Sequence, residues 1–159
     1  MKKRITWSID RASENILWQD VRLEKEEKKV YFKIHFPQEF TYGSYLVVVD
    51  AYKHLRLQKL LGYGEQNLCI ADLPEMTSVG GIAGEIPEGT WRIGLGIFTE
   101  YLARYDGKIP VKVELEITTE TGVVTQSVGE HVWISDDGKL TLDAYDWNLC
   151  RQKGTRWYK

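Results

Sequence analysis

The sequence has few of the residues that build disulfide frameworks and metal sites. Its two cysteines, Cys69 and Cys150, stand far apart, so both thiols are expected to be reduced and buried in a cytoplasmic protein. Its three histidines, His35, His54 and His131, include no pair at metal-ligand spacing. The sequence therefore predicts no metal site and no cofactor in this chain, and the histidines are expected to be surface residues or residues with satisfied hydrogen bonds.

A strong charge of one sign and long apolar runs are also lacking. The net charge of −2 provides no basic field, so nucleic acid is not an expected partner. All apolar runs are far shorter than a membrane-spanning helix requires. The basic start, residues 1–4, is followed at once by polar residues rather than by the apolar stretch of a signal peptide. These features predict a cytoplasmic protein that does not bind membranes.

What the sequence does contain is period-2 alternation of apolar and polar residues. It is clearest in Ile5–Ile9, Lys29–Phe36, Thr90–Phe98 and Val111–Thr118. Strand signals separated by turn signals at roughly 8–12-residue spacing indicate a two-sheet antiparallel β-sandwich of about 8–10 strands. We expect this domain to span residues 1–146, with either a jelly-roll-like or a Greek-key connectivity.

Other stretches are less regular. Ser13–Glu27 fits either a strand or a short helical turn, whereas the apolar run in Ser44–Tyr52 predicts a strand buried on both faces. His54–Leu61 predicts a strand with Leu55 and Leu57 inward and Arg56 outward. No segment shows a helical period.

Two long irregular segments interrupt the strands. The glycine-rich segment Gly62–Glu85 predicts a loop that is functional or wraps a sheet edge, with a short strand around Leu68, Ile70 and Leu73. Tyr101–Pro110 predicts a second, polar loop.

The clearest local signal is a turn that leads into a strand. Pro87 presets φ at the start of the turn, and Gly89 can adopt the positive φ that its end requires. Trp91 then begins the inward face of the strand, while Gly94 and Gly96 leave a bare strip that predicts another segment crossing close above it.

The residues of this chain predict no catalytic centre. Glu114 and Glu116 resemble a carboxylate pair, but their alternation with a core stripe favours a solvated face. Asp136-Asp137-Gly138 favours a hairpin turn over a calcium loop. Nucleophile motifs are absent from the sequence. The chain alone is therefore not expected to be an enzyme.

The exposed aromatic residues suggest a different class of function. Planar rings on outward faces can stack on sugars, which would make the chain a free-standing carbohydrate- or ligand-binding module. The competing interpretation is that these rings cover sheet edges. The candidates are Tyr52, Tyr63, Tyr101, Tyr105 and Trp133.

The segment 80–98, between a Val-rich strand and the alternating strand that begins at Val111, resembles the N-terminal β-sandwich domain of bacterial PHP-like metal-dependent phosphoesterases. In that family a segment like Thr155–Lys159 leads into the catalytic domain, which opens with a two-histidine metal motif. The resemblance departs at Met76–Gly81, where many relatives carry Arg-Gly-Trp-Ser-Gly-Gly and this chain keeps only the glycines. That departure argues against a ligand role for this loop.

The resemblance implies a non-catalytic accessory domain that packs against, or controls access to, a catalytic PHP domain of the same polypeptide. Residues 147–159 would be the linker, and Trp147 and Trp157 are the candidate interface residues. Divalent metals and hydrolase activity would belong to the catalytic domain alone. A homo-oligomer held by the same surface is the other partner that this interpretation allows.

Overall fold

The computed structural model describes residues 1–36, 44–61 and 64–121, and the backbone of two short strands beyond them. These residues form ten strands, one short α-helix and one 3₁₀-helix, Pro74–Met76. In chain order they are β1 (Lys2–Ile9), β2 (Ile16–Leu23), β3 (Lys29–Phe36), β4 (Ser44–Val49), β5 (Leu55–Leu60), β6 (Gly64–Ala71), β7 (Gly89–Ile97), α1 (Thr99–Ala103), β8 (Val111–Glu120), β9 (Trp133–Ile134) and β10 (Leu140–Thr141).

Eight of the strands form two antiparallel four-stranded sheets. The first sheet has the order β1-β8-β3-β6 and the second has the order β2-β7-β4-β5. One long antiparallel hairpin accounts for four of the strand pairs: β1–β8, β2–β7, β3–β6 and β4–β5. When this hairpin rolls up, two more pairs form, β3–β8 and β4–β7. This is the connectivity of a jelly roll. The predicted two-sheet antiparallel sandwich is confirmed, and β8, the last described strand of its two sheets, ends at Glu120.

The core lies between the sheets and is built from their inward-facing alternate residues. In β3, β7 and β8 the residues predicted to face inward are buried wherever their side chains are described. Ser13–Glu27, which fitted two structures, contains strand β2 with Val21 and Leu23 in the core. A pair of buried aromatic side chains, Trp7 and Trp91, lies in the same cluster.

The prediction that β4 is buried on both faces is wrong. Leu46 and Val48 are fully buried, but Tyr45, Val47 and Val49 are only half-buried. A jelly roll has two layers, so each sheet has one face in the core and one face outside it. The apolar residues on the outer face of β4 therefore need a different explanation, which the functional site provides.

The predicted orientation of β5 is also wrong for two residues. Leu55 is 43% exposed, whereas Arg56 is only 5% exposed. The reason is a β-bulge: Val49 pairs with Leu55 but Val48 pairs with Leu57, so Arg56 is an extra residue. A bulge changes the phase of the alternation and turns the arginine inward.

The segment predicted as a long loop, Gly62–Glu85, contains the eight-residue strand β6. Residues 72–86, which follow β6, form what we name the edge loop, and this loop covers the outer edges of both sheets. Ser78 N donates to Cys69 O on β6, and Gln58 N on β5 donates to Gly80 O. Thr77 Oγ1 and Ser78 Oγ accept from two further amides of β6. The expectation that this segment wraps a sheet edge is confirmed.

Two further predictions concern the segment after β7 and the hairpin near the end of the chain. The segment predicted as a polar loop, Tyr101–Pro110, begins inside α1, which is too short to show a helical period. In the described residues, no helix has the length and apolarity needed to cross a membrane. Strands β9 and β10 pair antiparallel on either side of the predicted Asp136–Gly138 hairpin, whose turn residues lie outside the described ranges.

Replacing Gly89 with alanine should destabilise the fold by about 1–3 kcal/mol, because Gly89 has a φ of +120° and an added Cβ would lie 2.8 Å from the Ala51 Cβ. Urea unfolding of Gly89→Ala measures the loss. Glu88→Ala, at the exposed neighbouring position, is the control and should change the free energy of unfolding little. Equal losses in the two variants would contradict this explanation of the turn.

Candidate functional surface on the second sheet

The outer face of the second sheet is predominantly apolar. Strand register places Ile16, Gly96, Tyr45 and Leu60 in one row across β2, β7, β4 and β5. The second row carries Trp18 and Val47 beside Gln58, and the third carries Val49 and Leu55 beside the exposed ion pair of Asp20 and Arg92. We name these seven side chains the apolar face: Ile16, Trp18, Tyr45, Val47, Val49, Leu55 and Leu60.

Two glycines set the shape of this face. The Trp18 ring occupies the space where a Cβ on Gly94 would lie, and the Tyr45 ring does the same at Gly96. The prediction that another segment crosses this strip is therefore wrong, since side chains from the two neighbouring strands cover it. Trp18 remains 41% exposed, and the guanidinium carbon of Arg92 lies 4.9 Å from its ring centroid. The result is an aromatic surface supported directly by backbone.

A groove of about 830 Å³ opens at one end of the sandwich, where β4 and β6 begin and β5 and β7 end. The ring centroids of Tyr45 and Phe98 lie 5.6 Å apart at an interplanar angle of 40°. Phe98 is 37% exposed and Leu60 is 68% exposed. The edge loop contributes one wall to the groove. The lining residues are Tyr45, Gln58, Lys59, Leu60, Gln66, Val79, Gly80 and Phe98.

Of the aromatic residues predicted to bind ligands, Tyr52 and Tyr105 have described side chains, and neither lines the groove. Tyr52 is exposed at the turn between β4 and β5, where its hydroxyl donates to Glu85 Oε1 at 3.5 Å. Tyr105 is half-buried and packs against the core. Tyr63 and the side chains of Tyr101 and Trp133 lie outside the described residues.

The predicted core residue Trp91 is described by the structure, whereas the predicted interface residues are not. Trp91 is 1% exposed, and its Nε1 donates to the carbonyl oxygen of Pro87 at 3.0 Å. Trp147 and Trp157, like the domain boundary before Trp147, lie outside the described residues. So do Cys150 and His131, whereas Cys69 is a buried thiol.

The outer face of the first sheet is charged rather than apolar. Lys2 and Arg4 both pair with Glu116, and hydrogen bonding from Lys2 is the main cause that lowers the pKa of that carboxyl. Glu114 and His35 are exposed beside it. Over residues 1–36, 44–61 and 64–121, no group of three or more His, Cys, Asp or Glu side chains is placed to hold a metal ion. The two faces of the sandwich thus differ sharply in polarity.

A testable pH effect arises at the edge of that charged face. Burial, followed by the charge and hydrogen bond of Glu120, raises the pKa of Tyr31 from 10.0 to about 12. The folded state therefore favours the neutral phenol, and this stability is complete below pH 10 and is lost as the pH rises to about 12. Tyr31→Phe should lose less stability than the parent protein across this range, as measured by urea unfolding at pH 9, 10.5 and 11.5. If both proteins lost stability equally as the pH rises, the raised pKa of Tyr31 would be contradicted. Glu120→Gln should make the rise in this pKa smaller.

Comparison with protein-family models matches no family, and comparison with curated proteins gives no significant match. The apolar face and the groove therefore carry the functional argument. Sequence analysis missed Trp18, Tyr45 and Phe98 as members of one surface. The detectable signal was the pair of outward glycines in β7, because bare backbone in a central strand leaves room for large rings from adjacent strands.

Proposed function

We propose that this chain is a non-catalytic accessory β-sandwich domain whose apolar face packs against the catalytic domain of a PHP-like metal-dependent phosphoesterase. Divalent metals and hydrolysis would belong to that domain. The observation that carries this proposal is the apolar face itself, on the outside of a two-layer fold. The resemblance of residues 80–98 and 155–159 to the sandwich of those enzymes supports the choice of partner. The proposal includes a cytoplasmic location, with which the buried Cys69 thiol agrees.

The size of the face fits contact with another domain. Four strands about 4.8 Å apart, with three outward rows about 6.7 Å apart, make an outer sheet surface of roughly 400 Å², which contains Asp20, Arg92 and Gln58 as well as the apolar face. Contacts between domains of one chain bury about 600–1,500 Å² in total, or roughly 300–750 Å² on each side. Exposed apolar patches of several hundred Å² are often functional. The charged face of the first sheet offers no comparable surface.

The edges of the two sheets also favour a domain docked on the apolar face. The edge loop covers β5 and β6, as its hydrogen bonds show. Strand β2 is the opposite edge of the second sheet, and its first half carries Ile16, Leu17 and Trp18. Uncovered edges with apolar residues tend to pair or aggregate unless another element protects them. A domain docked over the apolar face would also shield this edge.

The first experiment determines the mass and peptide map of the native polypeptide, isolated from its own cells with an antibody to this domain. A mass well above 18.4 kDa, with a two-histidine metal motif after residue 159, is expected. A mass near 18.4 kDa would contradict the proposal. Chelator-sensitive phosphoesterase activity of the pure 159-residue chain would also contradict it.

The second experiment tests the face in that polypeptide by hydrogen exchange and limited proteolysis. Val47→Asp places a charge in the middle of the face and should increase exchange on β4 and cleavage between the domains. Thr6→Asp, at an exposed position on β1, is the matched control and should leave both unchanged. Identical behaviour of the two variants would exclude this face as the contact. Circular dichroism of the isolated variant chains checks that each still folds.

A further inference from the structure

Strand β2 forms an edge of the second sheet that pairs with no other strand among the described residues except β7. The edge strands on the opposite side, β5 and β6, are bonded to the edge loop. Strand β1, the other edge of the first sheet, begins with Lys2, Lys3 and Arg4, and lysines on an edge discourage pairing. The first half of β2 has no charged residue and presents Ile16 and Trp18. It is therefore the edge best suited to receive another strand.

Alternate residues of β2 direct their backbone groups to this open edge. Ile97 N donates to Asn15 O at 2.8 Å, so the odd-numbered residues of β2 exchange hydrogen bonds with β7. The amides and carbonyls of the even-numbered residues therefore point away from β7. Lys3 Nζ of the first sheet donates to Arg22 O at 3.3 Å, which agrees with this direction.

Three residues of β2 have edge groups that another strand could bond. Those of Ile16 and Trp18 have no bonding partner in the part of the chain that the structure describes. The carbonyl oxygen of Asp20 accepts a weak bond from the neighbouring Gln19, whose Nε2 lies 3.4 Å away. A domain docked over the apolar face would contact side chains, whereas an added strand would bond these backbone groups.

The charges around β2 favour a second copy of this strand in one antiparallel register. Because the open groups belong to even-numbered residues, even-numbered residues must lie opposite each other. With Trp18 opposite Trp18 of the second copy, Glu14 lies opposite Arg22, and a two-fold axis forms this pair twice. Moving the second copy by one step in either direction places Glu14 opposite an acidic residue, Asp20 or Glu24. Like charges directly opposite each other destabilise a strand pair.

We propose that two copies of this chain associate through β2, antiparallel and centred on Trp18, so that their second sheets join into one sheet of eight strands. Ile16 exchanges hydrogen bonds with Asp20 of the second copy, and the two Trp18 residues exchange bonds with each other. The two Trp18 rings then lie next to each other on the outer face, where cross-strand aromatic pairs are stabilising. This inference goes beyond the proposed function and does not rest on it.

The interface is small, so the dimer is weak and dissociates on dilution. Sedimentation equilibrium of the 159-residue chain, from micromolar to millimolar concentration, should show one monomer–dimer equilibrium that approaches twice 18.4 kDa. Hydrogen exchange at the amides of Ile16, Trp18 and Asp20 should slow as the dimer forms. A monomer at every concentration would overturn the proposal. Assemblies larger than a dimer would also overturn it, because two-fold pairing uses the edge completely.

Charge reversal tests the register. Glu14→Arg and Arg22→Glu each place like charges opposite each other twice, so each variant alone should dimerise about tenfold more weakly. An equimolar mixture of the two variants should recover the parent affinity as a heterodimer, because both charge pairs are then complementary. Lys112→Glu, at an exposed position on β8, is the control and should not change dimerisation. A mixture that associates no better than its components would overturn the register.

Trp18→Pro tests the backbone bonds themselves. It removes an amide that β7 does not use, and proline is tolerated on edge strands, so it should abolish the dimer and keep the fold. Circular dichroism checks folding, and the mixture of charge variants decides the question if this variant unfolds. Slow exchange at these amides in a longer native polypeptide, but not in the concentrated 159-residue chain, would assign the edge to another domain and overturn the second copy. None of these results depends on the Val47→Asp experiment.

Discussion

Replacing Arg56 with alanine is expected to lower the free energy of unfolding by about 3–5 kcal/mol, one of the two largest effects predicted for this chain. Arg56 Nη1 lies 3.0 Å from Asp50 Oδ2, and both side chains are almost fully buried. Without the arginine, the Asp50 carboxylate would keep its bonds from the amides of Tyr52 and His54 but would lose its charge partner. Breaking a buried ion pair in this way leaves an uncompensated charge inside the protein.

The guanidinium also holds the edge loop in place. It donates to the carbonyl oxygens of Ile82, Gly84 and Glu85 at 3.1, 3.0 and 2.6 Å. These bonds fix residues 82–85 of the edge loop, which lie between the edge strand β5 of the second sheet and the edge strand β6 of the first. Arg56→Ala should therefore increase hydrogen exchange and proteolysis in residues 77–86 as well as lower global stability. Arg56→Lys keeps the charge but not the planar arrangement of donors, so it should restore only part of the loss.

The matched control is Arg92→Ala. Arg92 also pairs with an aspartate, Asp20, at 3.2 Å, but both side chains are more than half exposed. Exposed pairs of this kind contribute about 0–1 kcal/mol. Urea unfolding of the two variants compares a buried Arg–Asp pair, together with the three carbonyl bonds of Arg56, with an exposed Arg–Asp pair. A loss for Arg56→Ala no larger than that for Arg92→Ala would contradict the proposed role of the buried pair.

Arg56 also shows where sequence analysis reaches its limit. Strands β3, β7 and β8 were predictable because each keeps one phase of alternation from end to end, as in the buried Val113 and Leu115 of β8. In β5 the bulge changes that phase between Leu55 and Leu57. Nothing in the local pattern distinguishes an outward arginine from one that a bulge turns inward, because the bulge is defined by the pairing with β4.

The length of strand β6 was underestimated from the sequence for a related reason. Its glycine-rich surroundings favour a loop, yet Leu68 and Ile70 are buried in the core and β3 pairs with all eight of its residues. The partners of β6 lie far away in the chain, so its length depends on tertiary pairing rather than on its own propensity.

The sequence predicted the type of residue that lines the candidate groove, but not which residues or where in the fold. Aromatic residues were expected at a ligand site, but the residues chosen were those outside strong strand patterns. Tyr45 and Phe98 belong to or adjoin strands β4 and β7, and they meet because these strands are neighbours in the second sheet. A jelly roll pairs residues that are distant in sequence, so a site at the end of its sheets cannot be found by scanning a linear motif.

The second large effect is expected for Trp91→Ala, which should cost about 3–5 kcal/mol. Among the described residues, Trp91 is the largest fully buried side chain, and its removal would leave a cavity at the start of β7. The Pro87 carbonyl oxygen would also lose the hydrogen bond from Nε1. Trp91→Phe should recover part of the packing but not this bond, and so should fall between the alanine variant and the parent protein.

Trp18→Ala is the control for Trp91→Ala, because it removes the same side chain from a position that is 41% exposed. It should cost clearly less in urea unfolding, and equal costs would contradict the core role of Trp91. A double variant gives a further test, since the guanidinium carbon of Arg56 lies 5.6 Å from the Trp91 ring centroid. The combined loss should differ from the sum of the single losses by about 0.5–2 kcal/mol, because residues in contact are coupled. Strict additivity would mean that the turn before β7 and the edge loop are stabilised independently, although Arg56 and Trp91 lie side by side.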